Sequence, residues 1–178
     1  AAFLDCLGLD TVDLLGYHIG SKVCVELAHR FPPRVRRIVL ISAPIHTSAE
    51  LALNRLLGFK KIIHRDGSHL LDLWAFIRQQ SNPETPLILA HRAVAESLKA
   101  NEDAWVGRQA SVGYPLIETL SKLEQPVRVF NPRDYLFEMT KRASPYLKMG
   151  CFKNKPQWTN GFMDVSSEEI AQELRLFL

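Results

Sequence analysis

The chain has 178 residues, 47% hydrophobic and 23% charged, which fits one globular domain with a buried core. Its net charge of +3 is small and its basic residues are scattered, so nucleic acid and membrane surfaces are excluded as expected partners. The apolar run from Leu70 to Ile77 is too short to span a membrane and contains Asp72.

Cys6, Cys24 and Cys151 show no CxxC spacing. An odd count of separated cysteines predicts free thiols in a reducing, cytoplasmic setting, each buried among apolar neighbours. The first residue is Ala1, and Ala1, Leu4 and Leu7 resemble the end of a helical stripe stopped by Gly8. An N-terminal portion is therefore expected to be missing.

Val12 to Leu15 reads as a short strand. Ile19, Val23, Cys24, Leu27, Ala28 and Phe31 then follow helical spacing, with Lys22, Glu26 and Arg30 on the opposite face and Glu26 placed to pair with Arg30. Pro32 and Pro33 stop this helix. Ile38 to Ile41 is a β-branched run suited to a strand buried on both faces, ended by Ser42-Ala43-Pro44.

From Ile45 to Glu124 the pattern is helical, over 51–57, 70–77, 87–98 and 116–123, with Gly58, Gly67, Pro83, Pro86, Gly113 and Pro115 as breaks. A strand returns at Pro126 to Phe130, followed by a short helix over 136–143 and a strand near 147–152. A loop over 153–165 leads to a last helix. Ser166 and Glu169 form a capping box there, ahead of an apolar stripe of Ile170, Leu174, Phe177 and Leu178. Strands alternating with helices predict a parallel sheet with right-handed crossovers.

The segment Gly16-Tyr17-His18-Ile19-Gly20 joins the first strand to the first long helix. Two glycines flanking a central residue between strand and helix form the frame of a nucleophile elbow, with His18 at its centre. The glycines let strand and helix approach closely. The elbow demands a positive φ, to which His is less averse than most residues.

Three stretches together resemble the C-terminal half of an α/β-hydrolase. LDCLGLDTVDLLGYHIGSKVCVELAHRFPPRVRRIVLISAP is similar to the family's fifth strand, elbow, following helix and sixth strand. YPLIETLSKLEQPVRVFNPRDYL is similar to the cap exit, seventh strand and acid-bearing loop, and WTNGFMDVSSEEIAQELRLFL to the histidine loop and final helix. The resemblance implies an α/β fold with parallel strands five to eight. Residues 1–44 and 125–178 would form the core and 45–124 a helical cap over a pocket for a small apolar or ester-like compound. It implies hydrolysis of esters, lactones or acyl compounds, with no cofactor.

The triad positions depart from the family's pattern. His18 stands where the nucleophile belongs. The acid slot falls on Asp134 or Tyr135, and Asp134 is equally suited to cap the helix after it. Asn160 stands where the general-base His belongs, and an amide has no usable proton affinity. Catalysis is therefore expected to be weak or lost. The alternative is an altered set in which His18 is nucleophile or base, Asp134 its orienter and the Ile19 N–H an oxyanion donor. His46, at the end of the second strand, is a further candidate for this edge of the sheet. His29 is placed far from the elbow, and His64, His69 and His91 belong to the helical insertion. Convergence of His18, His46 and Asp134 on a metal lacks supporting ligand spacing, so no metal is expected. Half a fold would leave the first strand with an open edge, a feature that invites self-association.

Overall fold

A computed structural model of the chain describes residues 1–57, 63–99 and 104–178. A short helix α1 (Ala2–Cys6) precedes β1 (Val12–Tyr17), α2 (Ile19–Arg30) and β2 (Val35–Ile41). Among the described residues, five helices follow: α3 (Ser48–Leu57), α4 (Ser68–Gln80), α5 (Leu87–Lys99), α6 (Ala104–Gly113) and α7 (Leu116–Leu120). The chain ends with β3 (Val127–Arg133), α8 (Phe137–Lys141), β4 (Gly150–Thr159), α9 (Phe162–Val165) and α10 (Ser167–Arg175). Gly58 lies outside the described residues.

The strands form one parallel sheet in the order β1-β2-β3-β4, with Leu15 beside Val39, Ile38 beside Val127 and Val129 beside Phe152. The chain therefore has the partial α/β-hydrolase architecture, with β1 at one edge.

The core follows from the alternation of side chains along the central strands. Ile38 and Leu40 face a layer with Val25, Ala28, Leu116 and Leu120. Val39 and Ile41 face the opposite layer with Phe130, Trp158, Phe162 and Ile170. Ile38 to Ile41 are all fully buried, as a strand covered on both faces requires.

Several expectations from the sequence need correction. In α2 the face against the sheet is Ser21, Cys24, Val25 and Ala28, whereas Ile19, Val23 and Phe31 are exposed. Positions 19, 23, 27 and 31 form one i, i+4 stripe and the small residues form the next, and the small residues win because strand and helix approach closely. Lys22 is buried, because α6 covers its side of the helix and Ser111 accepts its Nζ–H at 3.0 Å. Glu26 and Arg30 do pair.

The fourth strand begins later than the apolar pattern implied and runs through Thr159, taking in most of the supposed loop. Lys153 and Lys155 pair with Glu173, and this charge ladder to α10 sustains a strand that its own hydropathy does not announce. Ser166 caps α10 without a side-chain bond, and Glu169 instead accepts from Trp158 Nε1 at 2.8 Å and from Lys155. Leu178 lies 40% exposed beyond the stripe. Only Cys24 is buried; Cys6 and Cys151 are exposed, on the open side of α1 and in an edge strand. Among the described residues, no helix is long and apolar enough to cross a membrane.

Candidate functional site

The turn between β1 and α2 is built around a close backbone contact. A Cβ on Gly16 would sit 2.4 Å from the Gly20 carbonyl oxygen, so only glycine fits there. Gly20 itself has open space where a Cβ would be, so the frame needs the first glycine and not the second. The turn places His18 at φ 50°, as the elbow geometry demands, and its backbone N–H donates to the Ile41 carbonyl at 3.0 Å. Ser21 Oγ donates to the His18 carbonyl at 2.6 Å and locks the first turn of α2.

One strand over, Ser42 ends β2 at φ 52°. His18 and Ser42 are the non-glycine residues with positive φ among those described, and they end neighbouring strands. Both reach the same acceptor on the turn after β3. His18 Nε2 lies 3.1 Å and Ser42 Oγ 2.6 Å from Asp134 Oδ2. Asp134 Oδ1 accepts the Leu136 N–H at 2.8 Å, so this carboxylate caps the following turn and holds the elbow histidine together. Its side chain is only 4% exposed, while His18 keeps 23%.

The bonding fixes the imidazole. In a neutral ring, a carboxylate acceptor at Nε2 selects the tautomer with the proton on Nε2 and the lone pair on Nδ1. Tyr135 Oη lies 3.5 Å from Nδ1, and the Tyr17 ring packs over the imidazole with centroids 3.9 Å apart. Burial first, and then the nearby Asp134 charge, push both phenols upward, so each stays a neutral donor near pH 7. The site thus presents one basic nitrogen, a hydroxyl donor beside it, and the N-terminal end of α2.

Asn160 is hydrogen-bonded outside this cluster. Its amide Nδ2 donates to the Gln79 carbonyl at 3.2 Å, at the end of α4. The neighbouring Gly161, at φ 73°, packs so tightly on Asn82 that a Cβ would lie 2.2 Å from its nitrogen. His46 shares no hydrogen bond or ring contact with His18 and instead feels the charge of Lys22. His29 is exposed late on α2, and His64 and His91 are exposed in or beside the helical segment. The sequence reading passed over Ser42, taking it only as the end of a strand. Its signal was a hydroxyl at a strand terminus one position before Ala-Pro, which is too common to single out.

A family profile described as the alpha/beta hydrolase fold matches residues 1–65, the segment that carries β1, the turn at His18 and β2. Its structural likenesses cover almost the whole chain; a bromoperoxidase from Bacillus anthracis superimposes over 98% of this chain and 70% of its own, with a TM-score of 0.76 at 14% identity. The chain has the α/β-hydrolase fold. Two curated relatives align in sequence. The 2-hydroxy-6-oxo-2,4-heptadienoate hydrolase of Pseudomonas putida is 28% identical over 130 residues, which are 72% of this chain and 45% of the relative. The 2-hydroxymuconate semialdehyde hydrolase of a Pseudomonas species is 31% identical over 117 residues, or 61% of this chain and 41% of the relative. The chain therefore spans less than half the length of the curated relatives it matches.

Proposed function

We propose that this chain carries a site of ester-, lactone- or acyl-hydrolase descent that holds a small ester-like or apolar compound beside His18, and that serine-type turnover there is weak or lost. One observation carries this reading. The elbow residue is an imidazole bonded directly to Asp134, so the groups that serve as base and orienter in a triad meet with no nucleophilic hydroxyl between them and a substrate. Asn160 supplies no replacement base, since its amide is turned toward Gln79.

The same bond supports a second reading. Asp134 holds the ring at Nε2 and leaves the Nδ1 edge turned away from the carboxylate, the orientation a histidine base or nucleophile uses. In that reading His18 is the nucleophile or takes a proton from water, Asp134 orients it, and the Ile19 N–H at the start of α2 is half of an oxyanion hole.

The two readings separate in one experiment. Turnover of p-nitrophenyl acetate and of γ-butyrolactone is measured alongside calorimetric binding of a non-hydrolysable ketone, phenylacetone, for the wild-type chain and for His18→Ala. Saturable ketone binding that His18→Ala weakens, with no ester turnover above buffer, is expected for a binding site. Turnover that falls on the order of a hundredfold in His18→Ala favours the altered hydrolase. Absence of both binding and turnover overturns both readings.

A further inference from the structure

A second polar centre lies away from His18 and is not used by either reading above. Lys22 is only 4% exposed, yet among the described residues its ammonium has a hydroxyl, Ser111 Oγ, as its sole hydrogen-bond partner and no carboxylate. A cation that far from water normally holds a counter-charge. Lys22 forms part of the wall of a cavity of about 240 Å³ between α2, the exit of β2 and the α6–α7 junction. His46 lines the same cavity, and its Nδ1 is buried without a hydrogen-bond partner.

The charges around this cavity favour an anion. Lys22, Arg142 and Arg108 all act on the His46 ring as positive charges, opposed by Glu50. Glu50 is itself engaged by Arg142 at 2.6 Å. Glu118 also lines the cavity, but its carboxylate is exposed and paired with Lys122. The rest of the lining is largely hydrocarbon, from Pro44, Ile45, Leu51, Val112, Leu116 and Ile117. That composition suits one anionic head on a short apolar body better than a multiply charged phosphate.

We infer that Lys22 and His46 form a binding site for the carboxylate of a small aliphatic acid, with Lys22 supplying the charge and His46 a ring N–H in the tautomer that donates. Ser111 holds the ammonium in place, and the acid's hydrocarbon tail lies against the apolar lining. The site is independent of chemistry at His18.

The test is calorimetric titration of the whole chain with sodium butyrate, at an ionic strength held constant with sodium chloride. Saturable binding is expected, weakened about tenfold or more by Lys22→Met, which removes the charge while keeping an unbranched side chain. His18→Ala should bind butyrate as the wild type does, which separates this site from the elbow. In the unmutated chain, butyrate should also move the His46 ring resonances and leave those of the exposed His29 unchanged. The inference is overturned by absence of saturable binding, by equal affinity in Lys22→Met, or by butyrate shifting the His29 resonances as much as those of His46.

Discussion

His18 Nε2 lies 3.1 Å from Asp134 Oδ2, although 116 positions separate the two residues in the chain. The contact exists because β1, β2 and β3 are parallel neighbours, so all three strands release their chain at the same edge of the sheet. The elbow, the Ser42 turn and the Asp134 turn meet there.

Asp134→Asn tests what the carboxylate does. The amide has nearly the same shape, and because the Leu136 N–H donates at the Oδ1 position the carbonyl oxygen belongs there, which places the NH₂ at the Oδ2 position facing both Nε2 and Ser42 Oγ. With the NH₂ toward His18, the ring has to turn its lone pair to Nε2 and carry its proton on Nδ1. Nitrogen-15 NMR of the imidazole should therefore show the tautomer exchanged, and a urea melt should show a loss of about 1–3 kcal/mol. An unchanged tautomer would mean that Asp134 does not orient His18.

Ser42 separates hydrogen bonding from backbone strain. Ser42→Ala removes the bond to Asp134 and keeps a Cβ at φ 52°. Ser42→Gly removes the same bond but relieves the strained conformation, worth about 1 kcal/mol or more for a non-glycine residue. Both variants should be less stable than wild type, with Gly the milder by about 1 kcal/mol in chemical denaturation. If Ala proves the milder, strain at this position is not significant.

The strand order, the buried second strand and the elbow were legible because each is written in local hydropathy and in glycine placement, whereas α6 (Ala104–Gly113) was not among the helices read from the pattern. Asp134 was legible only as one of two neighbours, since a loop aligned by eye slips by a residue and only the folded sheet brings one side chain to His18. Ser42 was invisible because its partner lies on another strand. The extent of β4 was hidden because Lys153 and Lys155 read as loop residues until Glu169 and Glu173 of α10 come opposite them. The inward face of α2 was read only in part, with Cys24 and Ala28 buried and Ile19, Val23 and Phe31 exposed, because two stripes run side by side and the pattern cannot tell which one meets a sheet.

The two elbow glycines should respond in opposite ways. Gly16→Ala drives a Cβ into the Gly20 backbone at 2.4 Å, and backbone cannot yield as a side chain can. A loss of more than about 3 kcal/mol is expected, enough to deplete the folded chain in a marginal domain. Gly20→Ala meets open space inside a helix and should be neutral or stabilising by about 0.5–1 kcal/mol. Equal destabilisation of the two variants would show that the close contact at Gly16 does not hold the turn.

Lys22 gives a pH signature whose sign is fixed by its burial. Desolvation lowers its pKa from 10.5 to about 8 in the folded chain. Below about pH 8 both folded and unfolded chains carry the proton, and the folded chain bears the full cost of the buried charge. Between 8 and 10.5 the folded state gives up its proton while the unfolded state keeps it, so this group's contribution to stability rises with pH. Burial also raises Cys24 to about 11 and Tyr114 to about 12, and these groups lower the stability of any variant in the alkaline range. The informative quantity is therefore the difference between Lys22→Met and wild type, in which those contributions cancel. Lys22→Met should be the more stable by about 1–3 kcal/mol at pH 7, in buffer free of organic acids, and the gap should close as pH rises toward 10. A gap that stays constant across that range would mean that the ammonium is not held away from water.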